Sequence, residues 1–280
     1  MRTERRARQR PLSHPQPNTT PAQTSNRLQN RVRTLDGVDA PKRGKSVDGE
    51  AWCKAELADI KLRTGRGEKV RVVFDIDDTL ADTRTRTLQI AKAYDRAHQT
   101  HYFDKLHKSD VRETGEDTAK ALGLPAAVVK DFSRSWSVDF WRGENFKYDV
   151  TLAKIVQLAR QAKAAGADVT YLTGRVNSLR SFTLSELQSF GLPDADEQHL
   201  FCKPTIGTKT REYKVKELDQ FRTDGFQLGW FFTESRRDTS WIQQQLPGVN
   251  TVLLAAAKET GGESVRADTP VFDAVTRTTR

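Results

Sequence analysis

The sequence predicts an α/β fold: a parallel sheet with helices on both faces, interrupted after its first strand by a helical insertion. Three observations carry this. Short runs rich in β-branched and aromatic residues recur along the chain, at Val70–Phe74, Asp168–Leu172, Gln227–Phe232 and Val249–Leu254. Each of the middle runs is flanked by segments whose apolar residues fall at helical spacing, and strands that alternate with helices form parallel sheets covered on both faces. Between the first run and the next such unit, residues 85–145 show helical periodicity alone.

The elements follow in order. Glu50–Thr64 sets Trp52, Ala55, Leu57, Ile60 and Leu62 on a helix that Gly65 and Gly67 end. Val70–Phe74 then stops abruptly at Asp75-Ile76-Asp77-Asp78-Thr79-Leu80, the pattern of a buried strand reaching the rim of its sheet. The insertion has three helical stretches. Thr83–His98 carries Leu88, Ile90, Ala91, Ala93 and Tyr94, and a second stretch lies near Val111–Leu122. The third opens at Pro125, a favourable first-turn residue, and carries Val128, Val129, Phe132, Trp136, Phe140 and Trp141. A helix over Leu152–Ala165 with Gly166 as its stop leads into strand Asp168–Leu172. Helix Ser178–Phe190, a short strand His199–Cys202, a charged helix Lys209–Arg222, strand Gln227–Phe232, helix Thr239–Gln245 and strand Val249–Leu254 complete the pattern. The expected organisation is a basic tail over 1–48, a core over 49–84 and 146–257, the insertion over 85–145, and a loosely ordered tail over 258–280.

Charge is unevenly placed. The chain of 280 residues carries a formal +9. Residues 1–48 hold eleven Lys and Arg against Glu4, Asp36, Asp39 and Asp48, a net of +7, so the remainder carries only +2. With five prolines and no apolar period, this tail cannot bury enough surface to offset its ordering entropy and is expected to be disordered. It reads as a solvated segment, an electrostatic tether to nucleic acid or anionic membrane, or a targeting segment. There is no apolar h-region and no run long enough to span a bilayer, so a cytoplasmic location is expected. Two cysteines, Cys53 and Cys202, exclude a disulfide scaffold.

The acidic string is the main functional signal. Residues i and i+2 of an extended strand end share a side, so Asp75 and Asp77 face one substrate. Several carboxylates at one buried strand end need a partner, and a hard cation such as Mg2+ is the natural one. One carboxylate near a metal and one free to move protons suit phosphoryl transfer through an aspartyl-phosphate.

The string Phe74-Asp75-Ile76-Asp77-Asp78-Thr79-Leu80 after a strand resembles the first motif of the haloacid dehalogenase (HAD) superfamily of phosphohydrolases, D-x-D-x-T-L. The resemblance implies a Rossmann-like core and makes the insertion a small helical cap over the site. It also implies three further motifs. Thr173 in Tyr171-Leu172-Thr173-Gly174-Arg175 stands where a hydroxyl holds a phosphoryl oxygen, in the form found among acid phosphatases and nucleotidases. A lysine should neutralise nucleophile and phosphoryl group; Lys203, Lys214 and Lys216 are candidates, and Lys214 fits the acid-phosphatase arrangement. Glu234 and Asp238 keep the spacing of the metal-binding acids, with Glu in place of the first Asp. Arg236 and Arg237 beside them could pair with them instead.

The implied activity is a Mg2+-dependent phosphomonoester hydrolase acting on a small phosphorylated substrate. Asp75 would be the nucleophile and Asp77 the general acid and base. Asp75, the carbonyl of Asp77, Glu234 and Asp238 would hold the metal, and Thr173 and Lys214 the phosphoryl oxygens. An acid at position 77 argues against dehalogenation, since a halide leaving group needs no proton. The alternatives are a phosphotransferase or mutase of the same superfamily, or a weakly catalytic binding protein whose basic tail engages nucleic acid or membrane. Specificity would rest on cap residues such as Arg84, Arg86, Trp136 and Trp141. His98, His101, Asp104 and His107 are unevenly spaced and read as surface groups.

Overall fold

The computed structural model describes residues 44–255 and 263–272. Nine strands and eight α-helices occur among the described residues: β1 Lys45–Ser46, α1 Gly49–Gly65, β2 Val70–Phe74, β3 Ala81–Asp82, α2 Arg84–His98, α3 Gly115–Ala121, α4 Ala126–Phe140, β4 Val150–Thr151, α5 Ala153–Ala164, β5 Asp168–Val176, α6 Arg180–Ser189, β6 Leu200–Lys203, α7 Thr210–Thr223, β7 Gln227–Thr233, α8 Arg236–Gln245, β8 Thr251–Leu254 and β9 Pro270–Phe272.

Seven strands form one parallel sheet in the order β1-β9-β8-β7-β2-β5-β6. Side chains alternate across a strand, so β2 feeds both faces. Val72 and Phe74 pack with Tyr171, Trp230 and Phe232 beneath α1 and α5, which contribute Ile60, Ile155, Leu158 and Ala162. Val73 points the other way, with Leu172 and Phe231, and is covered by Tyr213, Leu218 and Phe221 of α7 and Ile242 of α8. Both faces are therefore closed, as a parallel sheet requires. β2 sits between β5 and β7, so its carboxyl end, where the acidic string begins, lies at the middle of the sheet's rim.

The insertion has a core of its own. Ile90, Tyr94, Phe103, Val129 and Phe132 are buried together, with the Phe103 and Phe132 rings 4.4 Å apart. It leaves and re-enters the core through β3 and β4, an antiparallel pair with Ala81 opposite Thr151 and Asp82 opposite Val150.

Some elements differ from the sequence reading. β1 and β9 pair with each other at the sheet edge, within segments read as tails; two and three residues are too few to show a period. β5 runs past Leu172 to Val176, with a register shift after Thr173 that keeps Gly174 and Arg175 extended. α8 begins at Arg236 rather than Thr239, because Ser235 Oγ caps it by accepting from the Asp238 N–H. The expectations for residues 1–43, 256–262 and 273–280, including most of the basic tail, lie outside the described residues. Among the described residues, no helix is long and apolar enough to cross a membrane.

Candidate active site

The acidic string folds as a single tight turn. The carbonyl of Ile76 accepts from the N–H groups of Thr79, Leu80 and Ala81 at 3.1, 2.8 and 3.0 Å. Asp78 makes this possible by adopting φ +53°, a left-handed conformation that Asp tolerates better than most residues. Its carboxylate then caps α2, accepting from Thr83 N and Thr83 Oγ1 at 3.1 and 2.9 Å. Burial pushes this carboxyl up to about 6.

Asp75 is fixed on both oxygens. Oδ1 accepts from the Ile76 N–H at 2.9 Å, and Oδ2 accepts from Lys214 Nζ at 2.6 Å and Thr233 Oγ1 at 2.9 Å. Lys214 donates equally to Asp238 Oδ2 at 2.6 Å. Glu234 Oε2 accepts from Thr79 Oγ1 at 3.0 Å. One ammonium thus serves three neighbouring carboxylates. The imbalance shows in the acidities: burial raises the pKa of Asp75, and burial together with the Asp75 charge pushes Glu234 well up. For Lys214, burial favours the neutral amine, but Asp238 and Asp75 outweigh it and its pKa rises.

Asp75, Lys214, Glu234 and Asp238 are therefore brought together from the end of β2, α7, the β7–α8 turn and the first turn of α8. Thr173, 1% exposed, lies on β5 beside β2, and its Oγ1 accepts from the Arg175 N–H at 3.1 Å. Gly174 is packed so closely that a Cβ there would lie 2.9 Å from Thr210 Cγ2. Lys203 is directed elsewhere, donating to Thr210 Oγ1 at 3.4 Å.

Asp77 is held differently. Arg175 grips both oxygens, Nε to Oδ2 at 3.0 Å and Nη2 to Oδ1 at 2.8 Å, and Arg86 Nη2 donates to Oδ1 at 3.1 Å. Burial alone would raise this carboxyl, but the two guanidinium groups outweigh it and bring it down to about 2. Arg86 is correspondingly corrected from a substrate-facing cap residue to a fully buried one. Trp136 donates from Nε1 to Thr87 Oγ1, and Arg84 forks Asp82; Trp141 is 41% exposed. Arg237 pairs with Glu263 rather than with Glu234 or Asp238.

Sequence reasoning missed Arg175, Asp149, Glu186 and Thr233. Only Arg175 carried a signal, as the last residue of Tyr171–Arg175; the two acids sit at unremarkable spacings. Among the histidines, His98 stacks on Tyr94 and His101 pairs with Asp104, both away from these groups. Burial pushes the thiols of Cys53 and Cys202 up to about 11, which leaves them poor nucleophiles.

Asp168, Asp194 and His199 bring three possible metal-ligating atoms within 4.8 Å of one another. They lie at the opposite end of the strands from Asp75, since Asp168 pairs in register with Arg71. Arg71 already holds Asp168, and Lys163 holds Asp194.

Residues 127–241 match the family model described as HAD superfamily, subfamily IIIB (Acid phosphatase). That stretch contains Thr173, Lys214, Glu234 and Asp238 but neither Asp75 nor Asp77. Over that stretch, 115 of the 280 residues, the chain is similar to the acid-phosphatase branch of the HAD superfamily. The fold recurs among solved structures. The chain is similar to Protein Tyrosine Kinase A of Mycobacterium tuberculosis, at 16% identity over 73% of this chain and 94% of that one, with a TM-score of 0.50. It is also similar to a haloacid dehalogenase-like family hydrolase of Streptococcus pneumoniae, at 9% identity over 75% and 96%, with a TM-score of 0.47. No curated protein matches the sequence.

Proposed function

We propose that the protein is a Mg2+-dependent phosphomonoester hydrolase working through an aspartyl-phosphate on Asp75, with a small phosphorylated substrate. The observation that carries this is the pair of buried carboxylates, Asp75 and Asp238, on the Lys214 ammonium, with the partly buried Glu234 beside them. Several carboxylates gather about one ammonium there, and a divalent cation with oxygen ligands fits that donor set. Asp75, the Asp77 carbonyl, Glu234 and Asp238 would hold Mg2+. When bound, the ion supplies charge neutralisation for the phosphate oxygens.

The chain's own groups then divide the work. An Asp75 oxygen attacks phosphorus, and the bond from phosphorus to the leaving oxygen breaks as Asp77 gives that oxygen a proton. Water next attacks the aspartyl-phosphate, Asp77 takes a proton from it, and inorganic phosphate leaves Asp75 free again. Lys214 and Thr173 hold phosphoryl oxygens. The arginine clamp keeps Asp77 ionised, as the second half requires; a phosphate dianion beside it raises its pKa toward the protonated form needed in the first.

The test is turnover of aryl and alkyl phosphates with MgCl2. Asp75→Asn should lose more than about 10^3 in kcat, and free phosphate should be the product rather than a phosphorylated second acceptor. Wild-type turnover in Asp75→Asn would overturn the assignment.

A further inference from the structure

Arg86 joins four parts of the molecule through one side chain. It stands in the first turn of α2, where the cap begins, and is 0% exposed. Nε donates to Asp149 Oδ1 at 2.8 Å, and Nη2 also donates to Asp149 Oδ2. Nη1 donates to the carbonyl of Phe140, the last residue of α4, at 3.1 Å, and Nη2 reaches Asp77 Oδ1. Asp149 immediately precedes β4, where the cap returns to the core. The entry, the last helix and the exit of the cap are thus tied to the Asp77 carboxylate.

Arg175 mirrors this from the core. It forks Asp77, donates from Nη1 to Glu186 of α6, and lies 3.6 Å from Asp149 Oδ2. The Phe146 ring lies beside both guanidinium groups, 4.5 Å from that of Arg86 and 4.0 Å from that of Arg175. Glu186 Oε1 is buried without a donor. A buried charge that loses its partner costs several kcal/mol, so such a cluster holds or fails as a unit.

We propose that Arg86, Asp149 and Glu186 are positioning residues for the reaction at Asp77, through which the cap sets where the acid–base carboxylate stands without touching the phosphoryl group. This rests on the role given to Asp77 above. Proton transfer to a leaving oxygen needs the carboxyl within hydrogen-bond reach, and a misplacement of about 1 Å costs on the order of 10^2 in rate. Arg175 alone would still grip Asp77 and stay beside Asp149, but the direct ties from Asp77 to α2 and to the end of α4 would be gone.

The test compares full-length protein on two ester classes with MgCl2. An alkyl phosphate such as glycerol 2-phosphate leaves as an alkoxide and needs the proton; p-nitrophenyl phosphate leaves as a stabilised phenolate and needs it little. Arg86→Gln should lower kcat on the alkyl ester by roughly ten- to a hundredfold, and on the aryl ester several times less, with KM for both changed about twofold or less. Arg86→Lys should recover part of the alkyl rate. In an Asp77→Asn background, Arg86→Gln should not move the alkyl-to-aryl ratio further. If Arg86→Gln melts below assay temperature, Glu186→Gln and Asp149→Asn decide: Glu186→Gln puts an amide donor at the orphaned oxygen and should shift the ratio in the same direction by a smaller factor. Equal losses on both esters in variants with a cooperative melt would overturn the proposal while leaving the phosphatase reading standing. Turnover of neither ester by the wild type would remove both.

Discussion

Lys214 Nζ and Asp75 Oδ2 stand 2.6 Å apart, joined across 139 residues of sequence. The same ammonium is 2.6 Å from Asp238. Removing it leaves buried carboxylates facing one another, so Lys214→Met should lose both activity and stability. The expected stability loss is about 3–5 kcal/mol, the range for breaking a buried pair, read from the urea midpoint at pH 7. At pH 5, where those carboxyls can protonate, the loss should be smaller.

Mg2+ should stabilise the folded protein, most strongly at high pH. Asp75 and Glu234 have raised pKa values, so the folded apoprotein keeps protons that the unfolded chain releases. Stability therefore falls as pH rises above the ordinary Glu value of 4.5. The rise in Tm on adding MgCl2 should be larger at pH 8 than at pH 5, with a stabilisation of about 2.7 kcal/mol at a hundredfold excess over Kd. Glu234→Gln should reduce that increment, whereas Asp168→Asn, at the other end of the strands, should leave it in place. The reverse pattern would move the metal to Asp168, Asp194 and His199.

The Asp77 clamp should show in acid unfolding. Its pKa is lowered from 3.8 to about 2, so its contribution is complete above pH 3.8 and is lost as pH falls toward 2. The depression corresponds to about 2 kcal/mol. Asp77→Asn should flatten the pH dependence of unfolding between pH 4 and pH 2, measured by denaturant titration at each pH.

The cap offers a packing test. A Cβ at Gly115 would lie 2.4 Å from Trp136 Cγ, and that ring is held by its bond from Nε1 to Thr87 Oγ1. Gly115→Ala should destabilise by about 1–3 kcal/mol through overpacking, outweighing the helix-propensity gain of at most about 1 kcal/mol at a first-turn site. A stability increase would show that the Trp136 ring moves freely.

The parts of the fold visible in sequence are those with local cause. Val70–Phe74 and the acidic string are contiguous, so strand, turn and candidate nucleophile can be read together. Thr173 follows its own strand in the same way. The choice between Lys203 and Lys214 was open because both precede or follow elements of similar charge; the structure turns Lys214 toward Asp75 and Lys203 toward Thr210. The clamp on Asp77 was not legible at all. Arg86 meets Asp149 across 63 residues and Arg175 meets Asp77 across 98, and buried arginines look like surface ones until their partners are known. β1 and β9 were hidden for a different reason, since each is too short to carry a period.

The two-residue ladder of β3 and β4 has a consequence for how this architecture can diversify. Because the chain leaves at Asp82 and returns at Val150 directly opposite, everything between them is one closed loop hung on a fixed stem. Loop-closure entropy grows only with the logarithm of length, so halving or doubling that loop changes the core's stability by only about 0.6 kcal/mol. A cap of another size, or a short turn, could be grafted at the same stem without disturbing the seven-stranded sheet. What such a graft would have to resupply is a buried cation in the place of Arg86.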